Sequence, residues 1–294
     1  MTAPAPRRGR SLAAYLRLVR FQHTLFALPF AYAGMWLAAD GFPGWATFAW
    51  VTLAMAGART FAMAVNRVLD ARIDAANPRT AAREIPSGVL SAGDGWLLAG
   101  LGLIAFVTAG LALNPLTAAL LPVAAVFLAV YPLVKRVSWW CHAWLGITIG
   151  AAAAGGWIAV AGAFAPPAWW LWLAVGAWIG GFDVVYAMLD RRFDQAHGVY
   201  SVPARFGDVI AARIAGGAHV LAVAALVLLA PAAGLGATYL VAVAVVAAVL
   251  GLQHVWVARH GPAAALRAFD ANLVIGLVVL VGVVADYAVR AAGP

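Results

Sequence analysis

The chain contains nine apolar stretches that are each long enough to cross the hydrocarbon core of a lipid bilayer. That core is about 30 Å thick, and a helix needs about 20 residues to span it. Of the 294 residues, 65% are hydrophobic and 10% are charged, against roughly 45–50% and about 25% in soluble domains. A water-soluble fold is therefore excluded, and we predict an all-α polytopic membrane protein. The predicted spans lie near residues 21 to 39, 45 to 65, 95 to 113, 115 to 133, 142 to 162, 168 to 188, 211 to 230, 234 to 255 and 272 to 290.

The net charge of +8 is concentrated in alternate connections between these spans. The connections after the first, third, fifth and seventh spans contain no Lys or Arg, whereas the N-terminal segment and the other connections are basic. By the positive-inside rule, the basic side is the cytoplasm. We therefore predict a protein of the cytoplasmic (inner) membrane, with its N-terminus inside and its C-terminus outside. Because the surplus charge orients the chain, no nucleic-acid partner is expected.

We predict that the chain has two parts, a short N-terminal segment and a membrane domain. Residues 1–20 are expected to form a cytoplasmic segment, and residues 21–294 a single transmembrane domain. Met1 to Arg10 could also begin a cleaved signal peptide or a twin-arginine signal. An uncleaved first helix is favoured, because no small-residue cleavage site stands out and the apolar run has full span length.

Two segments of the chain resemble copies of each other. Leu69-Asp70-Ala71-Arg72-Ile73-Asp74 is repeated 120 residues later as Leu189-Asp190-Arg191-Arg192-Phe193-Asp194. Each copy runs on to a proline and then a glycine. This pattern predicts two pseudo-repeated halves, whose motifs meet across a central cavity.

The polar residues at and just before each copy are spaced to lie on one helix face. The first set is Asn66, Asp70 and Asp74, and the second is Asp183, Asp190 and Asp194. Four carboxylates in a low-dielectric space repel each other unless a divalent cation is bound. Mg²⁺ binds through one or two carboxylates plus phosphate oxygens, whereas zinc would need a Cys or His cluster that the sequence lacks. One such motif is typical of an ordinary helix end, but two copies favour a Mg²⁺ site.

Basic residues share the predicted cytoplasmic layer with these motifs. Positive-inside topology explains some of them, and diphosphate oxygens could bind others. They are Arg67, Arg72, Arg79, Arg83, Lys135, Arg136, Arg191 and Arg192.

These motifs resemble those of the UbiA superfamily of intramembrane aromatic prenyltransferases, in order and over nearly the whole chain. Glu84 departs from the family pattern, in which many members have proline at that position. The matching positions are Asn66, Asp70 and Asp74 of the first motif, Asp190 and Asp194 of the second, Arg59 and Asp183 that precede them, Tyr131 with Lys135, and Arg79-Thr80 with Arg83.

The resemblance implies transfer of a polyprenyl group from polyprenyl diphosphate to a ring carbon of an aromatic acid. It implies that Asp70, Asp74, Asp190 and Asp194 hold catalytic Mg²⁺. The other implied contacts are Asn66 in support of the metal, Lys135, Arg72 and Arg136 at the diphosphate, Tyr131 and Tyr186 beside the allylic cation, and Asp183 as proton acceptor or organiser of the acceptor site.

Arg59 lies about 10 Å deeper than Asn66, at 1.5 Å per helical residue. A cation at that depth needs an anionic partner. Arg59 could bind the carboxylate of the aromatic acid, steady the aspartate cluster, or pair permanently with an internal acid. The sequence leaves these interpretations open.

Several stretches resemble the branch of the family that prenylates a dihydroxynaphthoate in the futalosine route to menaquinone. Because such members are often labelled 4-hydroxybenzoate polyprenyltransferases, both 4-hydroxybenzoate and 1,4-dihydroxy-6-naphthoate stay open as acceptors, in ubiquinone or menaquinone biosynthesis. His23 and His197 could contact the acceptor or a loop, or be structural. The stretches are residues 21–30, 77–80, 196–198 and 201–207.

Three alternatives compete with this interpretation. A proton-coupled transporter would also use repeats and intramembrane acids, but apart from Asp183 the acids lie at one predicted rim. A lipid-binding or assembly subunit gives no reason for duplicated acidic motifs. A haem or chlorophyll type of prenyltransferase is a third alternative, within the superfamily.

Overall fold

The structure, a computed structural model, describes residues 10–20 and 24–292, with the side chains of residues 24–26 excepted. Every regular element in these ranges is a helix, which confirms the all-α prediction. Short 3₁₀ segments at Met188–Asp190 and Gly261–Ala264 join longer helices. The helices are α1 (Leu12–Leu18), α2 (Thr24–Ala38), α3 (Trp45–Leu69), α4 (Ala71–Ala76), α5 (Ala92–Leu113), α6 (Pro115–Val134), α7 (Cys141–Ala161), α8 (Pro166–Ala187), α9 (Arg191–His197), α10 (Val202–Ala232), α11 (Ala237–His260), α12 (Ala265–Asn272) and α13 (Ile275–Ala292).

Each predicted apolar stretch coincides with a helix, but the number of nine spans is not confirmed. Within the described residues, seven segments are long and apolar enough to cross a membrane, and Ala27–Ala38 is a shorter apolar helix. The last of the seven, Ala237–Ala292, contains both α11 and α13. The chain is a multi-pass membrane protein.

The helices pack into one closed bundle. α3 packs on α5, α7 packs on α2 and α8, and α8 packs on α10. α13 contacts both α11 and α2, so the C-terminal span lies beside the first one. A large cluster of buried side chains, which includes Leu229, Tyr239 and Val279, fills the second half of the bundle. This arrangement brings the ends of α3 and α8, where the two acidic motifs lie, to the same part of the molecule.

Glycines allow neighbouring helices to approach until their backbones touch. A methyl group on Gly156 of α7 would overlap the backbone oxygen of Ala31 in α2, and one on Gly34 would overlap the oxygen of Ala153. α3 and α5 meet in the same way, because a methyl group on Gly57 would lie 2.5 Å from the Phe106 nitrogen. In lipid, such close packing between small residues is a main source of helix association.

We expect Gly156→Ala to destabilise the protein, because the backbone of α2 cannot move aside as a flexible side chain could. Overpacking of this kind costs about 1–3 kcal/mol, which lowers the thermal midpoint in detergent. Gly155→Ala is the matched control, since a methyl group there meets no atom within 4 Å. Equal thermal midpoints for the two variants would contradict the assigned packing of α2 on α7.

Candidate active site

The first acidic motif lies where the long helix α3 gives way to the short helix α4. Asp70 ends α3 with φ −87° and ψ 0°, and Asp74 belongs to α4. The predicted stripe is therefore not on one continuous helix. It is nevertheless retained, because the amide of Asp70 bonds to the Asn66 carbonyl at 2.9 Å and that of Asp74 to the Asp70 carbonyl at 2.8 Å. Asn66 Nδ2 also donates to Asp70 Oδ2 at 2.9 Å.

The second motif has the same local structure. α8 ends at Ala187, Asp190 closes the short 3₁₀ segment, and Asp194 lies in the short helix α9. Asp183 stands inside α8, seven residues before Asp190. The repeat recognised in the sequence is thus a repeat of local structure.

The two motifs come into contact through the loop that follows the first one. Asn77 Nδ2 donates to Asp190 Oδ1 at 3.0 Å, and Arg79 Nε donates to the same oxygen at 2.8 Å. A second guanidinium nitrogen of Arg79 bonds Asp190 Oδ2, and Nη1 donates to the Tyr186 hydroxyl at 2.9 Å. Burial alone lowers the pKa of Arg79, but the hydrogen bonds and charge of Asp190 raise it above its usual value. Arg79 therefore remains a cation that joins the two halves.

Asp70 is bound by the predicted cations at the end of α6. Lys135 Nζ lies 2.5 Å from Asp70 Oδ2, and Arg136 Nη2 lies 3.3 Å from Oδ1. Arg136 also donates to the Leu69 carbonyl at 2.5 Å. Because Asp70 is 1% exposed, these two cations neutralise a buried carboxylate.

Asp74 is bound by cations that the sequence placed in the same layer but did not assign to the site. Arg83 Nη1 lies 2.7 Å from both carboxylate oxygens. Arg67 Nη1 lies 3.9 Å from Oδ2, and its Nε donates to the Leu18 carbonyl of α1 at 3.2 Å. The N-terminal helix therefore supports the first motif.

Asp194 is held by a hydroxyl group. Ser201 Oγ donates to Asp194 Oδ2 at 2.8 Å, and Asp194 is within electrostatic range of Asp190, Lys135 and His142. All four predicted metal ligands are thus near a cation or a polar donor at one end of the bundle.

The deeper predicted residues surround Tyr131 of α6. Arg59, Arg67, Asp70 and Asp183 all lie within electrostatic range of the Tyr131 hydroxyl. Asp183 Oδ2 lies 2.7 Å from His142 Nδ1. The structure therefore brings Arg59, Tyr131 and Asp183 together below the aspartates.

Arg59 has no ion pair among the described residues, and its buried Nε has no hydrogen-bond partner there. The described residues therefore contain no permanent ion pair between Arg59 and an internal acid, which was one of the interpretations left open by the sequence. A buried guanidinium nitrogen without a hydrogen-bond partner is costly. It therefore leaves a place for an anion.

Other predicted residues lie outside this network. Arg72 is exposed on α4 and makes no ion pair within the described residues. His197 Nδ1 donates to the Phe193 carbonyl at 3.0 Å, a contact within one helix end. His23 lies outside the described residues.

The predicted site did not include six side chains that the structure places in contact with its residues: Arg67, Asn77, Arg79, Arg83, His142 and Ser201. Asn77, Arg79 and Arg83 all lie in or beside the loop after the first motif, which the sequence did single out. His142 is a single histidine at the start of a span, and no spacing in the sequence distinguishes it.

An apolar cavity of about 260 Å³ lies between α3, α6 and α7. Ala58 of α3 and Phe127 of α6 line it. Arg59 follows Ala58 directly, and Tyr131 is one helical turn beyond Phe127. Neither Arg59 nor Tyr131 lines the cavity, which therefore lies deeper in the membrane-spanning part of the bundle than these two residues.

The acidic residues suit a hard divalent cation by donor type. Carboxylate and amide oxygens are the ligands of Mg²⁺, which needs only one or two protein carboxylates when phosphate oxygens complete its shell. No group of three His, Cys, Asp or Glu side chains that could hold a metal by itself occurs in residues 10–20 and 24–292. The residues thus fit a metal that arrives with a phosphate ligand better than one held by protein alone.

Comparison with known proteins gives concordant matches. The UbiA prenyltransferase family model matches residues 27–278. A 4-hydroxybenzoate octaprenyltransferase of Xanthomonas campestris pv. campestris (strain B100) is 34% identical over 298 residues, covering 98% of this chain and 96% of that protein. The apo structure of a UbiA homologue from Aeropyrum pernix K1 is 32% identical with a TM-score of 0.83, covering 90% of this chain and 98% of that one.

A UbiA homologue from Archaeoglobus fulgidus bound to GPP and Mg²⁺ has a TM-score of 0.65 at 17% identity, covering 92% of this chain and 99% of that one, a likeness of fold alone. The resemblance found in the sequence motifs is confirmed, and the transporter and assembly-subunit alternatives are not supported. The chain belongs to the UbiA prenyltransferase family and is a membrane-embedded prenyltransferase.

Proposed function

We propose that this chain catalyses the Mg²⁺-dependent transfer of a polyprenyl group from polyprenyl diphosphate to a ring carbon of an aromatic acid. The observation that carries the proposal is the pair of acidic motifs, joined by Arg79 and surrounded by cations, above an apolar cavity and an unpaired Arg59. The names of the relatives, 4-hydroxybenzoate octaprenyltransferases, support an aromatic acid as acceptor. The GPP and Mg²⁺ bound by the A. fulgidus homologue support a prenyl diphosphate as donor.

The diphosphate is expected to lie between the two motifs. Asp70, Asp74, Asp190 and Asp194, supported by Asn66, would hold Mg²⁺, which supplies a Lewis acid that neutralises the leaving diphosphate. Lys135 and Arg136, which bind Asp70, would also bind diphosphate oxygens. Arg79, which binds Asp190, and Arg83, which binds Asp74, would bind them too. Arg72, exposed at the same end, is the outermost diphosphate contact that we propose.

The prenyl tail is expected to enter the apolar cavity, whose lining excludes water from the allylic carbon. Tyr131 and Tyr186 flank the aspartates, and aromatic faces stabilise a developing cation. Asp183, deeper in α8, is then placed to accept the proton that the ring loses. The chain length of the tail depends on the shape of this cavity.

The acceptor carboxylate is expected to bind Arg59. We predict that Arg59→Ala raises the KM for the aromatic acid about 100-fold, because a buried charged hydrogen bond contributes about 1.5–3 kcal/mol and each 1.4 kcal/mol is tenfold. The KM for polyprenyl diphosphate should change little. Initial rates with varied concentrations of each substrate give both values.

An amide analogue of the acceptor provides the control for Arg59. It lacks the negative charge, so the wild-type enzyme should bind it weakly and Arg59→Ala should change its KM little. Equal rises in the KM of the acid and of polyprenyl diphosphate would contradict an acceptor role.

We further propose that the enzyme lies in the cytoplasmic membrane with its N-terminus inside and its C-terminus outside. Residues 1–20 would then be a cytoplasmic segment that ends in α1, and residues 21–294 a single catalytic domain. The Leu18 carbonyl bond to Arg67 supports a role for this segment in holding the first motif. The diphosphate would enter from the cytoplasmic side.

The test is an assay in membranes that contain the protein, with labelled polyprenyl diphosphate, Mg²⁺ and either 4-hydroxybenzoate or 1,4-dihydroxy-6-naphthoate. Prenylated product is expected, and the preferred acid distinguishes ubiquinone from menaquinone biosynthesis. Membranes without the protein give the background. Absence of product with both acids would contradict the proposed acceptor class and favour the haem or chlorophyll type.

A further inference from the structure

His142 is a buried polar residue that the proposed reaction does not yet use. It is the second residue of α7, is 5% exposed, and places Nδ1 2.7 Å from Asp183 Oδ2. Asp183 differs from Asp70, Asp74 and Asp190, because no Lys or Arg pairs with it among the described residues. A carboxylate paired with a guanidinium is a poor proton acceptor, since the cation stabilises its charged form.

The protonation of His142 follows from its second contact. The backbone amide of Val202 donates to His142 Nε2 at 3.1 Å. An N–H donor requires a lone pair on Nε2, so the ring proton lies on Nδ1 and is donated to Asp183. A doubly protonated ring would lose the Val202 bond. The contact geometry therefore specifies a neutral donor aimed at one oxygen of Asp183.

The other oxygen of Asp183 remains available. The Asp183 side chain is 31% exposed, and the bond to His142 uses Oδ2. Tyr131, which borders the predicted site of the allylic cation, is within electrostatic range of Asp183. Oδ1 is thus the oxygen that can take up a proton.

The segment that binds His142 also binds a predicted metal ligand. Ser201, directly before Val202, begins α10 and donates its hydroxyl to Asp194 Oδ2 at 2.8 Å. A continuous path of contacts therefore runs from Asp194 through Ser201 and Val202 to His142 and Asp183. This path sets the position of Asp183 relative to the second acidic motif.

We infer that His142 is a positioning residue that holds the Asp183 carboxylate in place to accept the ring proton. The inference rests on the proposed function. In that reaction the ring carbon forms a bond to the allylic carbon, and the allylic C–O bond breaks with its electron pair on the diphosphate. The electron pair of the ring C–H bond then returns to the ring, and the proton passes to Asp183 Oδ1 and later to water.

The experiment is a double-mutant cycle between His142 and Asp183. His142→Leu should lower kcat about 10–100-fold, as loss of a group that orients another commonly does, with the KM for polyprenyl diphosphate unchanged. Asp183→Asn should lower kcat about 100-fold or more, because it removes a general base. The double variant should be no slower than Asp183→Asn alone, since His142 acts through Asp183.

The His142→Gln variant tests whether His142 acts through its hydrogen bonds to Asp183 and Val202 or only by filling space. Its carboxamide has one donor for Asp183 and one acceptor for the Val202 amide, so kcat should recover most of the loss seen in His142→Leu. Size-exclusion profiles in detergent verify that each variant is folded.

The inference fails if His142→Leu retains full kcat, or if the losses of the two single variants multiply in the double variant. Turnover that requires Asp70 but not His142 would overturn this inference and leave the proposed function intact. Absence of prenylated product from the wild-type enzyme would overturn both.

Discussion

Replacing Asp70 or Asp190 by asparagine is expected to lower kcat about 1,000-fold. Each carboxylate is the centre of a charge cluster, with Lys135 and Arg136 on Asp70 and Arg79 on Asp190. In the proposed reaction each contributes to stabilising the leaving diphosphate by several kcal/mol. A loss of about 4 kcal/mol corresponds to about three factors of ten in rate. Asparagine has nearly the same shape, so the change is mainly one of charge.

The measurement is the initial rate of prenylated product in membranes that contain equal amounts of folded variant. Asp40→Asn is the matched control, because its exposed carboxylate follows α2 at the end of the bundle opposite both acidic motifs and makes no ion pair within the described residues. Its rate should stay within about twofold of the wild type, since surface substitutions away from a site change the free energy by at most about 0.5 kcal/mol. Wild-type rates in either Asp70→Asn or Asp190→Asn would remove that residue from the proposed site.

Removal of divalent metal is expected to lower the turnover rate about 1,000-fold, as much as the loss of Asp70 or Asp190. The described site has no group of three acids that could hold a metal by itself, so the metal is expected to bind together with the diphosphate. Without it, Lys135, Arg79 and Arg83 would stay paired with the aspartates rather than bind the diphosphate. Membranes washed with EDTA should therefore lose both product formation and retention of labelled polyprenyl diphosphate.

Restoring Mg²⁺ to the washed membranes is the control, and it should recover both product formation and retention of polyprenyl diphosphate. Ca²⁺ is the comparison ion, because it takes six to eight oxygen ligands at longer distances and suits a phosphate-completed site less well. Full turnover in EDTA would contradict metal dependence. Loss of turnover with unchanged retention of the diphosphate would instead limit the metal to the bond-breaking step.

The membrane-spanning helices could be predicted from the sequence because hydropathy is a local property. Each of the nine apolar stretches coincides with a helix of the structure. Their count of nine was not confirmed, since α11, α12 and α13 follow one another within the single helical segment Ala237–Ala292 and Ala27–Ala38 is short. The repeat of the acidic motif was also readable, because the pattern Leu-Asp-x-Arg-x-Asp recurs in both copies.

The contacts of the site were only partly predictable. The spacing of Asn66, Asp70 and Asp74 indicated a shared face, but not the break at Asp70 that leaves Asp74 on a separate helix. Arg72 and Arg79 are both basic residues near the first motif, yet only Arg79 reaches Asp190. Charge alone does not distinguish them, because the direction of each side chain depends on how the loop folds over α8.

By itself, the sequence determined the helical membrane fold and the residues that can carry charge at one end of it, since hydrophobicity, charge and helical spacing are properties of neighbouring residues. Only the tertiary structure decided that Arg79 joins the two motifs, that Arg59 has no partner among the described residues, and that His142 binds Asp183. His142 and Asp183 are 41 residues apart. Contacts of that kind depend on how α7 and α8 pack, which no local pattern encodes.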